Sequence, residues 1–216
     1  SGLVGSEMCI RDSYLEDLYI HDIDGNLQDK HMDNGGIQFN VSKPTDESKT
    51  GIARYNDVKI TNCYVKDVKR AGIVVGYTYQ HSKFNGAQIA DETVQKYGHT
   101  NIYIADNYVQ NSGNDAIVAM YAYRPVIERN ISDTAGVDLD DGYAGYWQSF
   151  CATIWPWKTK DAVFQYNEAF DTVGEGNGDG QAWDIDWSDG TVYQYNYSHN
   201  NGGCLLYTSP SPRDRS

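Results

Sequence analysis

Apolar positions along this chain fall in short bursts, each closed by a polar corner, and the bursts repeat. Leu15-Glu-Asp-Leu-Tyr-Ile-His-Asp-Ile23 alternates imperfectly and stops at the turn signal Asp24-Gly25-Asn26. Gly35-Gly-Ile-Gln-Phe-Asn-Val41 predicts a second strand, and the polar stretch from Ser42 to Gly51, with Pro44, predicts a loop. Val58 to Val68 repeats the first burst at an offset of 45, and Ala71-Gly-Ile-Val-Val75 takes the place of Gly35 to Phe39. A third copy follows 44 residues on, mapping Ile60, Val65 and Ile73 to Ile104, Val109 and Ile117. Ile104-Ala-Asp-Asn107 then returns after 23 residues as Ile127-Glu-Arg-Asn130. Phe164-Gln-Tyr-Asn-Glu-Ala-Phe-Asp171 and Tyr193-Gln-Tyr-Asn-Tyr-Ser-His-Asn200 lie 29 residues apart. Strands this short bury little alone but can bury their inward side chains by stacking on copies of themselves. The pattern therefore predicts an all-β solenoid. A propeller blade cannot halve to fit the shorter offsets, and a β-sandwich would not repeat an Asn at a fixed corner.

The register makes two packing predictions. Ile60, Ile104, Ile127 and Phe164 point inward. Asn107, Asn130, Asn167 and Asn196 form a structural ladder, each amide bonding the backbone above and below. Gly76 to Gly98 is an excursion from the coil, with a short helix expected near Ala90 to Lys96. Such an excursion is a common place for ligand contacts. Larger insertions run from Val137 to Lys160 and from Thr172 to Asp189.

The two ends read differently. Gly2 to Asp12 and Cys204 to Asp214 resemble conceptual translations of a transposon-based sequencing adapter, the second string being the reverse complement of the first. On that reading residues 1–13 and 204–216 are adapter-derived. Residues 14–203 are then a β-helix fragment from a short environmental insert, truncated at both ends.

Composition narrows the partners. With 30 acidic against 17 basic residues and a net charge of −13, the surface repels nucleic acid and anionic membrane. No apolar run is long enough for a transmembrane helix. The 18 Tyr suit short strands. Cys63 and Cys151, the two cysteines outside the ends, decide nothing about redox compartment.

Asn107-Tyr-Val-Gln-Asn-Ser-Gly-Asn-Asp-Ala-Ile117 and Gln194-Tyr-Asn-Tyr-Ser-His-Asn-Asn-Gly-Gly203 carry a resemblance. Over residues 14–203 the chain resembles the right-handed parallel β-helix superfamily of pectate-lyase-like proteins. The resemblance implies that fold. It implies no one activity, because polysaccharide lyases, glycoside hydrolases, epimerases, adhesins and phage tail parts share it.

The strongest candidate chemistry lies in Asp179-Gly-Gln-Ala-Trp-Asp-Ile-Asp-Trp-Ser-Asp189. Asp184 and Asp186, two apart in a strand, share a face at roughly 6.5–7 Å. Unpaired carboxylates cannot face the core, so this face points outward, and Ala182 and Ile185 cannot both be core. The spacing suits the acid and base of an inverting glycosidase, or a cation site. Trp183 and Trp187 offer stacking platforms for sugar rings. The competing reading is a solvated turn. Asp138, Asp140 and Asp141 form a second acidic group, a candidate Ca2+ site, followed by Tyr143, Tyr146, Trp147, Trp155 and Trp157. Those tryptophans either bind substrate or pack as a lid. Asp115, in Gly-Asn-Asp-Ala-Ile, loosely resembles the catalytic Asp-Asp-Cys-Ile-Ala strand of polygalacturonase-type hydrolases. Here Asn114 and Ala116 replace the first Asp and the Cys, and no Gly-His-Gly or Arg-Ile-Lys motif follows.

His199 is a candidate base or orienting group, or an ordinary corner residue. Arg124, Lys158 and Lys160 could meet a uronate carboxylate. Glu175 reads as a turn residue, and the other four histidines carry no ligand spacing. Nucleotide and zinc-hydrolase motifs are absent from the sequence. Three functions remain: a secreted, cell-surface or periplasmic glycoside hydrolase using paired aspartates, a calcium-dependent polysaccharide lyase, and a non-catalytic carbohydrate-binding solenoid. The hydrolase is preferred, with a polysaccharide or glycoside substrate and a monomeric full-length parent. Calcium is the one cofactor considered.

Overall fold

The computed structural model describes residues 10–26, 32–86, 88–137, 139, 151–174 and 179–208. They climb through six coils, each giving one strand to each of three parallel faces. The first sheet stacks Ile10–Glu16, Arg54–Thr61, His99–Ala105, Val126–Glu128, Val163–Gln165 and Val192–Gln194. The second stacks Tyr19–Ile23, Tyr64–Val68, Tyr108–Ser112, Ile131–Ala135, Glu168–Phe170 and Tyr197–His199. The third holds Gly35–Val41, Ala71–Thr78, Ile117–Met120 and Ile154–Trp157. A two-stranded pair, Trp183–Ile185 with Leu206–Thr208, continues that face. Its link to the coil below runs through Thr153 N–H to Gln181 O and Ile154 N–H to Ala182 O, both 3.1 Å. This is the arrangement typical of a right-handed β-helix. Ile10 to Asp12 and Leu206 to Thr208, inside the stretches read as adapter-derived, lie in paired strands.

Local chemistry turns the chain at fixed places. The corner between first and second sheets is a left-handed residue in every coil: Asp17, Asn62, Asp106, Arg129, Tyr166 and Tyr195, all with φ between 53° and 58°. Asp and Asn tolerate that region, and the other three are held there by the pairing on either side. Immediately after this corner stands the asparagine ladder. Asn107 Oδ1 accepts Cys63 N–H at 3.0 Å, and Asn130 Oδ1 accepts Asn107 N–H at 3.1 Å. Asn167 Oδ1 accepts Asn130 N–H at 3.0 Å, and Asn196 Oδ1 accepts Asn167 N–H at 2.9 Å. Each Nδ2 donates back into a neighbouring coil, to Ile60 O, Ile104 O and Ile127 O at 3.0 Å and to Phe164 O at 2.8 Å. Bending the strand strips these backbone groups of sheet partners, and the amides replace them.

Inside, Ile60, Ile104, Ile127 and Phe164 stack in register and are fully buried, as the repeat predicts. The excursion forms a short 3-10 turn, His81–Phe84, and the helix Asp91–Tyr97, shifted one residue towards the C-terminus from the expected segment. Phe84, Ile89 and Val94 cover the outer face of the third sheet, packing with Val74, Val118 and Met120. Lys158 Nζ pins the excursion through Phe84 O at 2.7 Å, and Tyr123 hydroxyl does so through Asp91 at 3.0 Å. Among the described residues no helix is long and apolar enough to cross a membrane.

The ladder sets a measurable cost. Asn130→Ala leaves the buried Asn107 N–H and Ile104 C=O of the coil below unpaired and removes the amide contact to Asn167 above, so chemical denaturation should show a loss of about 3 kcal/mol. Asn196→Ala, at the half-buried upper end of the ladder, should cost less. Equal costs at both positions would remove the ladder from the account of stability.

Candidate functional site

On the outer face of the third sheet, beside the excursion, a cleft of about 340 Å³ is lined by Met32, Arg70, Asn114, Asp115, Ala152, Trp155, Trp157, Asp179, Gln181, Asp184, Asp186 and Trp187. The pairing explains its composition. Gln181 bridges to Ala152 and Asp186 to Trp157, an offset that sets Asp184 beside Trp155. Side chains on alternate strand positions share a face, so both aspartates look out over the two tryptophans of the coil below. The outward face predicted for Asp184 and Asp186 is the face observed. Ala182 is core and Ile185 is half-buried, so the two are not both core, as expected.

Asp115 forms part of the floor. It is 1% exposed, its Oδ1 accepts Ala152 N–H at 3.1 Å and Trp155 Nε1–H at 2.9 Å, and Arg70 Nη1 lies 3.7 Å from its Oδ2. Arg70 also bonds Asn114 Oδ1. Burial pushes the Asp115 carboxyl up to about 6, against the pull of Arg70 and the hydrogen bonds. Asp184 is 8% exposed and accepts Ile185 N–H at 2.7 Å. Burial, then the charge of Asp186, pushes Asp184 up to about 7. Asp179 is half-buried and is also raised, first by burial. Gln181 hydrogen-bonds it and opposes that shift, and Asp186 adds to it. Asp115, Asp179, Asp184 and Asp186 thus form one electrostatic group facing one cleft.

The platforms sort themselves by exposure. Trp187 is 51% exposed and carries Lys158 Nζ at 5.1 Å from its ring centre. Trp155 and Trp157 stack at 6.5 Å, and Trp157 also meets Tyr77 edge-on. Burial lowers Lys158, with Asp186 acting in the opposite sense. Trp183 lies elsewhere. It is 5% exposed inside the core, 5.8 Å from Tyr193, whose hydroxyl donates to Asp184 O at 2.7 Å. The expected alternation slips at Ala182–Trp183, where both residues enter the core, so Trp183 supports the strand from behind and does not line the cleft. His199 sits on the second sheet, stacked on Phe170 at 4.9 Å with Nε2 2.9 Å from Glu168 Oε1, and is not part of the cleft lining. Trp147, Asp138, Asp140 and Asp141 lie outside the described residues. Among the described residues no group of three or more His, Cys, Asp or Glu has an arrangement that could hold a metal ion.

Arg70, Asp179 and Gln181 join the site without having been singled out from the sequence. Arg70 carried a signal: the offset of 44 that maps Ile73 to Ile117 also maps Arg70 to Asn114. Asp179 and Gln181 stand in the same insertion as Asp184 and Asp186, but no repeat marks them.

No protein-family model matches the chain. It is 45% identical to lacto-N-biosidase of Bifidobacterium longum subsp. longum in an alignment of 210 residues, covering 89% of this chain and 13% of that protein. Among solved structures it is similar to GH136 lacto-N-biosidase from Eubacterium ramulus. The selenomethionine derivative gives a TM-score of 0.82 at 45% identity, covering 92% of this chain and 33% of that one. The native protein gives 0.80 at 46% identity, covering 89% and 32%. The chain therefore spans about one third of the solved relatives and a smaller share of the curated one.

The raised Asp184 carboxyl has a consequence for stability. In the unfolded chain an Asp ionises near 3.9, so the fold favours its neutral form. That contribution is complete below about pH 4 and is lost as pH rises through about 7. Asp184→Asn keeps an acceptor for Ile185 N–H and removes the buried charge. Urea titration at pH 8 should find the variant more stable by on the order of a few kcal/mol, with the difference closing near pH 4. A variant less stable than wild type at pH 8 would contradict this.

Proposed function

We propose that this chain supplies the catalytic cleft of a glycoside hydrolase with lacto-N-biosidase activity. The observation that carries the proposal is the convergence of Asp179, Asp184 and Asp186 on one tryptophan-lined cleft. The sequence likeness to two lacto-N-biosidases over most of this chain supports it. A non-catalytic solenoid would scatter its carboxylates around the coil. The wider likeness to pectate-lyase-like β-helices forms part of the same proposal, supported by the three parallel faces and the asparagine ladder. A glycan substrate of this kind suits a secreted or cell-surface protein.

The roles divide by exposure and proton affinity. Asp115 is held by Ala152 N–H, Trp155 Nε1–H and Arg70, and Asp184 by Ile185 N–H, so both shape the field beside the more open pair. Asp179 and Asp186 are half-buried in the cleft wall. Asp179, held toward its neutral form by burial and by Asp186, is the general acid that protonates the leaving glycosidic oxygen. Asp186 supplies the opposing negative charge required by an oxocarbenium-like transition state. With Asp179 in place of Asp184 as partner, the strand repeat no longer sets the carboxylate separation, so the i,i+2 argument for inversion falls away. Exposed Trp187 offers the flat apolar surface on which a sugar ring stacks.

Release of the disaccharide from an aryl lacto-N-bioside and from an oligosaccharide substrate tests these roles. Asp186→Asn should cost about 10²- to 10⁴-fold in kcat/KM on both substrates. Asp179→Asn should cost as much on the oligosaccharide but far less on the aryl glycoside, whose leaving group needs little protonation. Full activity in Asp186→Asn would sink the assignment. Activity should persist in EDTA, and its abolition together with an unsaturated product would favour a lyase.

A further inference from the structure

Gln181 is 1% exposed and yet lines the cleft. Its backbone is fixed by the coil below, where Gln181 O accepts both Thr153 N–H and Thr153 Oγ1–H at 3.1 Å. Its side chain hydrogen-bonds Asp179. A carboxylate is stabilised there by the amide N–H, which leaves the amide oxygen facing elsewhere. That oxygen is buried and has no hydrogen-bond partner among the described residues. On the same cleft wall, Trp157 Nε1 is a buried donor that also has no partner among the described residues. Unpaired buried groups of this kind cost stability, and a cleft that keeps an acceptor at Gln181 and a donor at Trp157, five residues further along the neighbouring strand, is prepared for a ligand that offers a donor and an acceptor along its length. Sugar hydroxyl and acetamido groups do so. A hydroxyl donates its proton and accepts through oxygen, and an acetamido group donates N–H and accepts through C=O.

We infer that Gln181 is a bifunctional residue of this cleft: its amide nitrogen orients Asp179, and its amide oxygen takes a hydroxyl or acetamido group of the bound sugar, while Trp157 Nε1 takes another polar group of the same ligand. The inference rests on the glycosidase reading and deepens it, because it ties substrate recognition to the acid through one side chain. A sugar seated on Gln181 lies beside the carboxyl that must protonate its glycosidic oxygen. The same amide favours ionised Asp179 before substrate arrives, so substrate binding and acid strength are linked at one residue.

The test is steady-state kinetics of the 216-residue chain on an aryl lacto-N-bioside across pH, comparing wild type, Gln181→Met, Gln181→Glu and Trp157→Phe. Gln181→Met removes acceptor and donor at similar volume. It should raise KM about 10- to 100-fold. It should also move the basic limb of the pH profile upward, since Asp179 loses the donor that favoured its ionised form. Gln181→Glu keeps the acceptor and so keeps KM near wild type, but its negative charge moves the basic limb further upward. Trp157→Phe should raise KM without moving the limb. A purely structural glutamine would lower melting temperature and activity together and leave the limb in place, and that result overturns the inference. Where Gln181→Met folds poorly, the limb shift in Gln181→Glu decides. Wild-type activity that Asp186→Asn abolishes, beside an unchanged KM and limb in both Gln181 variants, would sink this inference alone. A folded but inert wild type would remove the glycosidase reading and the inference with it. Replacing the acetamido group of the substrate by hydroxyl separates the two ligand groups: a wild-type preference lost in Gln181→Met assigns the contact to the acetamido group.

Discussion

Each coil of this protein depends on the hydrogen bonds it makes to the coil above and below. The strands are too short to be stable singly, and the corners between first and second sheets force backbone out of the sheet pattern. The asparagine ladder resolves the conflict. One amide accepts an N–H and donates to a carbonyl on the two sides of the corner in the coil below, so a bend repeated at the same height costs no unpaired group. The isoleucine and phenylalanine stack behind it then aligns without further instruction, because the ladder fixes the register.

That rigidity is what makes the cleft. The outer face of the third sheet carries two tryptophans in one coil and two aspartates in the next. Fixed stacking sets the aspartates beside the tryptophans without a dedicated scaffold. The excursion then walls the face with apolar residues, and Lys158 ties that wall to the strand beneath it. Enclosure raises the proton affinity of Asp115, Asp179 and Asp184 for the same reason in each case: a carboxylate loses water faster than it gains partners. The buried Arg70 beside Asp115 keeps the innermost carboxylate from being unaccompanied. The cleft is thus an apolar-walled acidic group in which like charges sit close, a condition that keeps protons on some of its members near neutral pH.

The repeat alone determined the solenoid, the ladder and the inward stack, because each follows from identical residues recurring at coil-length offsets and needing to bury one face. It also placed Asp184 and Asp186 outward, since charge cannot enter that core unpaired. What it could not determine is which insertion residues converge. Trp183 reads as a platform in sequence but enters the core, because the strand slips its alternation at Ala182 to fill the space beside Tyr193. His199 reads as a base but belongs to another face of the coil, paired with Glu168. Asp179 and Gln181 carry no periodic mark, and only the folded insertion brings them to Asp186. Periodicity reports on stacked positions. A site assembled from insertions depends on where each insertion returns to the coil, and tertiary packing alone decides that.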